Sequence, residues 1–215
     1  MPIPPEISEI WEFINSEIIW LHGRWNVHRQ IYGTSPECIA LINWAAPTFF
    51  VIIQRVLMND IQLTLVKLAD PALTGKRDNA TLEALVVLLE KYYSDAPIQD
   101  IRDSLIEFRK RCKNIQHRRN KDIAHFDLQV QLGDNSELLP GPSMQEIESA
   151  LEALRQFMKI LIVYFVMPHK VYELITPTNG NTLLYQLKKA HRYDQLEAQG
   201  TIPFDDILKS PYFNA

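Results

Sequence analysis

Apolar residues recur at every third or fourth position through nearly every long stretch of this chain, and proline-bearing segments mark the interruptions. That spacing puts the apolar side chains on one face of a helix. From Ile7 to about Ile31 the expected stripe is Ile10, Phe13, Ile14, Ile18 and Leu21, with Gly23 a point where the helix bends or stops. Ser35-Pro36-Glu37 combines a capping hydroxyl, a first-turn proline and an acid at the positive end of the dipole. It opens a second helix expected to reach Ala69, with Pro47 kinking it one turn earlier. The stripe there is Ile39, Ile42, Ala46, Phe49, Ile53, Val56, Leu57, Ile61, Leu65 and Leu68. Asn79 or Thr81 caps a shorter helix through about Tyr92. A further helix carries Ile98, Ile101, Leu105, Phe108, Cys112 and Ile115 on one face and is expected to run to about Ala124. Gln129 to Pro142 reads as a loop, and Ser143 with Glu146 forms a capping box for a helix reaching about Met167. A weaker helix follows from about Thr182 to Ala198. With only seven glycines in 215 residues, the predicted fold is all-α. It is an up-and-down bundle of four long helices plus shorter ones over residues 1–175, with a C-terminal helical appendage, 176–215, packed on the same domain.

Composition sets the outer limits. Hydrophobic residues make up 47% and charged residues 22%, ordinary globular values that argue against disorder. The net charge of −4 excludes a globally basic nucleic-acid binder but leaves room for a local basic groove. Cys38 and Cys112 are too few for a disulfide framework or a zinc site, and His22 and His28 lack metal-ligand spacing, so no metal and no cofactor is expected. The start of the chain lacks the pattern of a secretory signal. The longest unbroken apolar run, Ile160 to Pro168, is about half of a membrane span, and the expected location is cytoplasmic, without a membrane partner. Of the aromatic residues, Trp11, Trp20, Trp25, Trp44, Phe49 and Phe50 read as core rather than as a base-stacking platform. Asp60, which interrupts an apolar stripe, reads either as a partly exposed polar position or as a counter-ion for the basic cluster described next. Thr74-Gly75-Lys76 reads as a polar turn.

Positive charge is concentrated from Arg109 to Lys121, where seven basic residues occupy little more than three helical turns. Such a cluster in an acidic chain points to a site that meets phosphate. Within it an arginine precedes a histidine in Arg119-Asn120-Lys121-Asp122-Ile123-Ala124-His125. RNA is cut without a metal when a base takes the proton of its 2′-hydroxyl, which then attacks the adjacent phosphorus. An imidazole suits that transfer, and a planar guanidinium suits the more highly charged phosphorane. DNA lacks the 2′-hydroxyl, so the chemistry selects RNA, and unpaired RNA best reaches in-line geometry. The pair alone is a weak signal, because Arg111 and His117 repeat the same spacing. An ordinary solvated basic face fits it as well. On a continuous helix Arg118, Lys121 and Asp122 lie on the side of His125 while Arg119 lies about a third of a turn away. Either the helix distorts near residue 120 or the arginine acts across a subunit interface.

The segment Arg119-Asn120-Lys121…Ala124-His125-Phe126-Asp127 resembles the signature of the HEPN superfamily, an arginine, a polar residue and a histidine four to six positions on. Its abortive-infection, AbiU-type branch is resembled further by Leu41-Ile42-Asn43-Trp44-Ala45-Ala46-Pro47 with Phe49-Phe50, by Leu68-Ala69-Asp70-Pro71, and by Gly75-Lys76 leading to Leu82. The likeness covers about Ile31 to Met167. It implies a helical bundle, a homodimer whose two motifs share a cleft, and metal-independent endoribonuclease activity in toxin or antiviral settings, with an antitoxin or defence partner. Arg119 and His125 carry over as catalytic and Asn120 as their polar partner. Arg118, Lys121, Arg111, Lys113 and His117 are the expected RNA or phosphate contacts, and Asp122 or Asp127 the residues that orient the imidazole. Members silenced by nucleotidylation carry a tyrosine two residues after the histidine; Asp127 stands there, so that regulation does not carry over. Many relatives bind without cutting. The alternatives are therefore a non-catalytic domain that binds RNA, a nucleotide or a partner protein, and a helical module whose basic face meets an acidic partner.

Overall fold

The computed structural model describes residues 3–120, 141–165, 172 and 179–203. Among them the chain is almost wholly helical. Helix α1 spans Pro5–Tyr32, and its buried stripe is Ile7, Trp11, Ile14, Ile18, Leu21 and Trp25. This repeat of four and three differs from the expected one: Phe13 lies off it and is 51% exposed. Gly23 does not end the helix, because the buried Leu21 and Trp25 on either side outweigh a propensity cost of about 1 kcal/mol.

The helix expected from Ser35 to Ala69 is two helices. Helix α2, Pro36–Ala45, starts at Ser35, whose side chain accepts the Cys38 N–H, and helix α3 spans Pro47–Ala69. Between them Ala46 sits at φ −165 and ψ 77. The ring of Pro47 clashes with a helical conformation of the residue before it, so the break falls at Ala46 and not one turn earlier. Breaking there also resets the buried face. Phe50 is buried whereas Phe49 and Val56, assigned to the stripe from sequence, are 55% and 56% exposed.

Beyond α3 a two-residue hairpin pairs β1, Leu73–Thr74, with β2, Arg77–Asp78. Its turn needs the positive φ of 63° that Gly75 adopts. Helix α4, Leu82–Tyr92, is capped by Thr81. Helix α5, Ile98–Arg118, buries Ile101, Leu105, Phe108, Cys112 and Ile115. Helix α6, Met144–Tyr164, opens with the Ser143–Glu146 capping box, and helix α7, Gly180–Ala198, with Asn179.

These elements form two compact units. The first comprises Met1–Trp25 and Arg55–Leu174, and the second Asn26–Gln54 and Ile175–Ala215. In the first, α5 packs against α4 and α6 over one apolar core. A polar strap joins α1 to α6 there. Trp25 Nε1 donates to Glu148 at 2.6 Å, and Arg155 reaches Glu148, Glu152 and the buried ring of His22. His22 in turn bonds the Ile18 carbonyl through Nδ1 at 2.8 Å. In the second unit α2 packs against α7 around Ile31, Ile42, Phe50 and Leu184. The tryptophans divide: Trp11 and Trp25 are core, but Trp20 and Trp44 are exposed, Trp44 against His191 with ring centroids 4.6 Å apart. Helix α3 is long and apolar enough to cross a membrane by length and composition, with a third of its most apolar window buried. Its C-terminal half supplies Ile61, Gln62, Leu65, Val66 and Leu68 to the core of the first unit.

Two single changes rank the forces involved. Phe157→Ala, in the middle of α6 and fully buried, is expected to cost about 3–5 kcal/mol, whereas Ser143→Ala, which loses one cap, costs about 1 kcal/mol. Urea midpoints measure both, and equal losses would contradict this account.

Candidate functional site

The buried seam of α5 dictates where Arg119 points. It stands four residues beyond Ile115, so it continues the core-facing side of the helix rather than the solvent-facing one. Its N–H still bonds the carbonyls of Ile115 and Gln116, but residues 119 and 120 lie in a wider, π-type turn. Such turns concentrate at functional sites. Regular α-helical geometry gives way after Arg118, so the distortion falls on the Arg-Asn dipeptide of the motif; the expected continuation to about Ala124 lies outside the described residues.

Arg119 is half-buried and meets Asp70, just beyond the end of α3. Its Nη2 donates to both carboxylate oxygens, at 3.1 and 3.3 Å. Its Nε is buried and has no hydrogen-bond partner among the described residues. Asp70 is itself held in place from α5. Arg109 donates through Nε to the Ala69 carbonyl at 2.9 Å and through Nη2 to the Asp70 carbonyl at 3.3 Å. These are the last carbonyls of a helix, which lack partners within it. Arg109 Nη1 meets Glu83 of α4 at 3.2 Å, and Glu83 also accepts the Ala72 N–H at 2.8 Å. The Arg109 hydrogen bond, and then that of Ala72, hold the Glu83 carboxyl below its ordinary range.

The remaining cations of α5 are spread over separate faces. Lys110, Lys113 and His117, at i, i+3 and i+7, are exposed together. Arg111 is exposed too and donates to Glu107 at 2.6 Å, which limits its reach. Arg118 is half-buried against the chain at Gly141, where a Cβ would lie 2.7 Å from its Nη1. Asn120 is exposed in the π-type turn. Lys121, Asp122, His125 and Asp127 lie outside the described residues. The cluster seen in sequence is thus a fixed clamp in Arg109, an inward-facing Arg119, and outward-facing Lys113, His117 and Arg111.

Asp60 does not serve this cluster. It pairs with Arg24 of α1 at 2.8 Å, and Arg24 also bonds Thr64; the carboxylate that pairs with Arg119 is Asp70. Sequence reading passed over Asp70 and Glu83 as site residues. The available signal was Asp70 within the Leu68-Ala69-Asp70-Pro71 stretch, but nothing local ties that aspartate to an arginine 49 residues later. Burial pushes the Cys112 thiol up to about 12, which keeps it protonated and inert. Beside Asp70 opens a cleft of about 470 Å3, bordered by Phe13, Glu17, Thr64, Lys67 and Asp78.

A family model for the HEPN domain of AbiU2 matches residues 5–175. No curated protein and no solved structure matches the chain.

The Arg109–Glu83 clamp makes a pH prediction. A carboxyl whose pKa falls on folding contributes stability that is full above its unfolded value, about 4.3, and is lost as pH drops through the folded one. Glu83→Gln should therefore be less stable than the parent at about pH 7, with the gap narrowing towards about pH 3. Urea midpoints at both pH values test this; an unchanged gap would contradict it.

Proposed function

The chain belongs to the HEPN AbiU2 family, an abortive-infection group, and on that premise we propose that it is a metal-independent endoribonuclease acting on single-stranded RNA. The supporting observation is Arg119, presented at a π-type turn and braced by Asp70 through Nη2, with its Nε unpartnered among the described residues. In this reading His125 takes the proton of a 2′-hydroxyl, and the resulting oxygen attacks the neighbouring phosphorus. The 5′-oxygen leaves with a proton, and a 2′,3′-cyclic phosphate remains. Arg119 stabilises the phosphorane, Asn120 supports it as the polar partner, and Asp122 or Asp127 orients the imidazole. Lys113, His117, Arg111, Arg118 and Lys121 draw in the flanking phosphates. The chain works as a cytoplasmic homodimer whose two motifs close over one RNA, in phage defence or as a toxin with an antitoxin partner.

One observation favours a second reading, a non-catalytic binder of RNA, a nucleotide or a protein. Asp70 already neutralises Arg119, which lowers that arginine's value to a transition state.

The two readings separate in one assay. The nuclease cuts single-stranded RNA in EDTA to cyclic-phosphate ends, and His125→Ala loses about 10²-fold or more of the rate while keeping its thermal midpoint. The binder leaves RNA intact as a verified dimer. Its affinity falls with salt and on Arg118→Ala, and is indifferent to His125→Ala.

A further inference from the structure

The cleft beside Asp70 has a chemistry unlike that of the basic helix next to it. Three of its bordering groups, Glu17, Asp70 and Asp78, are carboxylates, and Lys67 is the one cation among its lining residues. Such a lining repels a phosphate and accepts hydrogen bonds from a donor-rich, uncharged or cationic ligand. On α1, Phe13 and Glu17 are four residues apart and so share a face. Phe13 is 51% exposed, an aromatic surface at the border of the cleft. The volume lies within the range of small-molecule sites. Asp70 joins the cleft to the proposed chemistry, because it both borders the cavity and holds Arg119.

We propose that this cleft is a base-recognition pocket for guanine in the RNA strand, seating the nucleotide next to the phosphate that Arg119 engages. The inference rests on the nuclease or RNA-binding reading and names its specificity. Guanine is the base that offers two adjacent donors, N1–H and N2–H2, to a single carboxylate, and it carries O6 and N7 acceptors as well. Glu17 accepts the two donors. It is half-buried and has no ion pair or hydrogen bond among the described residues. Lys67 donates to the acceptor edge, and Phe13 stacks on the base, as aromatic side chains do on unpaired RNA. Adenine, cytosine and uracil each place only one donor group on that edge, so one carboxylate oxygen loses its partner. Asp70 is already occupied by Arg119 and sets the boundary between base pocket and phosphate site.

The test uses the whole chain with the four nucleoside 5′-monophosphates, alongside mapping of cut sites in a random single-stranded RNA. GMP is expected to bind at least about 10-fold tighter than AMP, CMP or UMP. Glu17→Gln and Phe13→Ala should each abolish that preference while their thermal midpoints hold, and cuts should cluster beside guanine. RNA cleavage with no base preference, or a guanine preference that survives both variants, overturns the pocket and leaves the nuclease reading standing. Guanine-selective GMP binding with RNA left intact removes the nuclease reading and keeps the pocket. An arginine-rich peptide that binds in a Glu17-dependent way while GMP does not would overturn the pocket in favour of a protein partner. No selective binding by any nucleotide overturns it as well.

Discussion

The arrangement at the candidate site depends on Arg109. One guanidinium takes up two terminal carbonyls of α3 and the carboxylate of Glu83 on α4, so a single side chain of α5 ties three elements together. The carbonyls at a helix end must be satisfied somewhere, and here the partner comes from the helix that carries the motif. The consequence is positional. With Ala69 and Asp70 fixed to α5, the Asp70 carboxylate lies within reach of Arg119 further along the same helix. The site is braced by a partly buried, hydrogen-bonded network rather than by exposed ion pairs, which contribute little.

The second feature is a separation of charge over a short distance. The outward faces of α5 present Lys110, Lys113 and His117, while the cleft by Asp70 is bordered by Glu17 and Asp78. A phosphodiester strand carries both kinds of complement, anionic backbone and donor-bearing bases. Under the proposed RNA-directed function, the two surfaces are the complements of the anionic backbone and the bases respectively. Arg119 stands at the junction, paired with Asp70.

Folding of the first unit is governed by the seams of α1, α5 and α6, with buried residues spaced four and three apart. Proline acts at a distance of one residue. Ala46 leaves the helical region because Pro47 follows it, and this local event decides that Phe50 rather than Phe49 enters the core of the second unit. The exposed Phe49, Val51, Ile52 and Val56 are its visible result. The same helix later supplies the buried Ile61, Leu65, Val66 and Leu68 to the first unit, so one element changes environment along its length.

What the sequence determined by itself was set by short-range physics. Helical periodicity fixed the all-α class and the buried face of α5, Ile101 through Ile115. Capping chemistry fixed the starts at Ser35 and Ser143 and narrowed a third to Asn79 or Thr81, since a cap and its partner lie within three residues. Charge clustering found the segment that holds Arg119 and Asn120. Tertiary structure decided the rest. It chose Asp70 over Asp60 as the counter-ion, made Arg109 of the basic cluster a clamp, exposed Trp20 and Trp44 while burying Trp11 and Trp25, and grouped 26–54 with the C-terminal helix. Each of those outcomes depends on which helix faces meet. A residue's own neighbours in sequence carry no information about a partner 40 or 49 positions away.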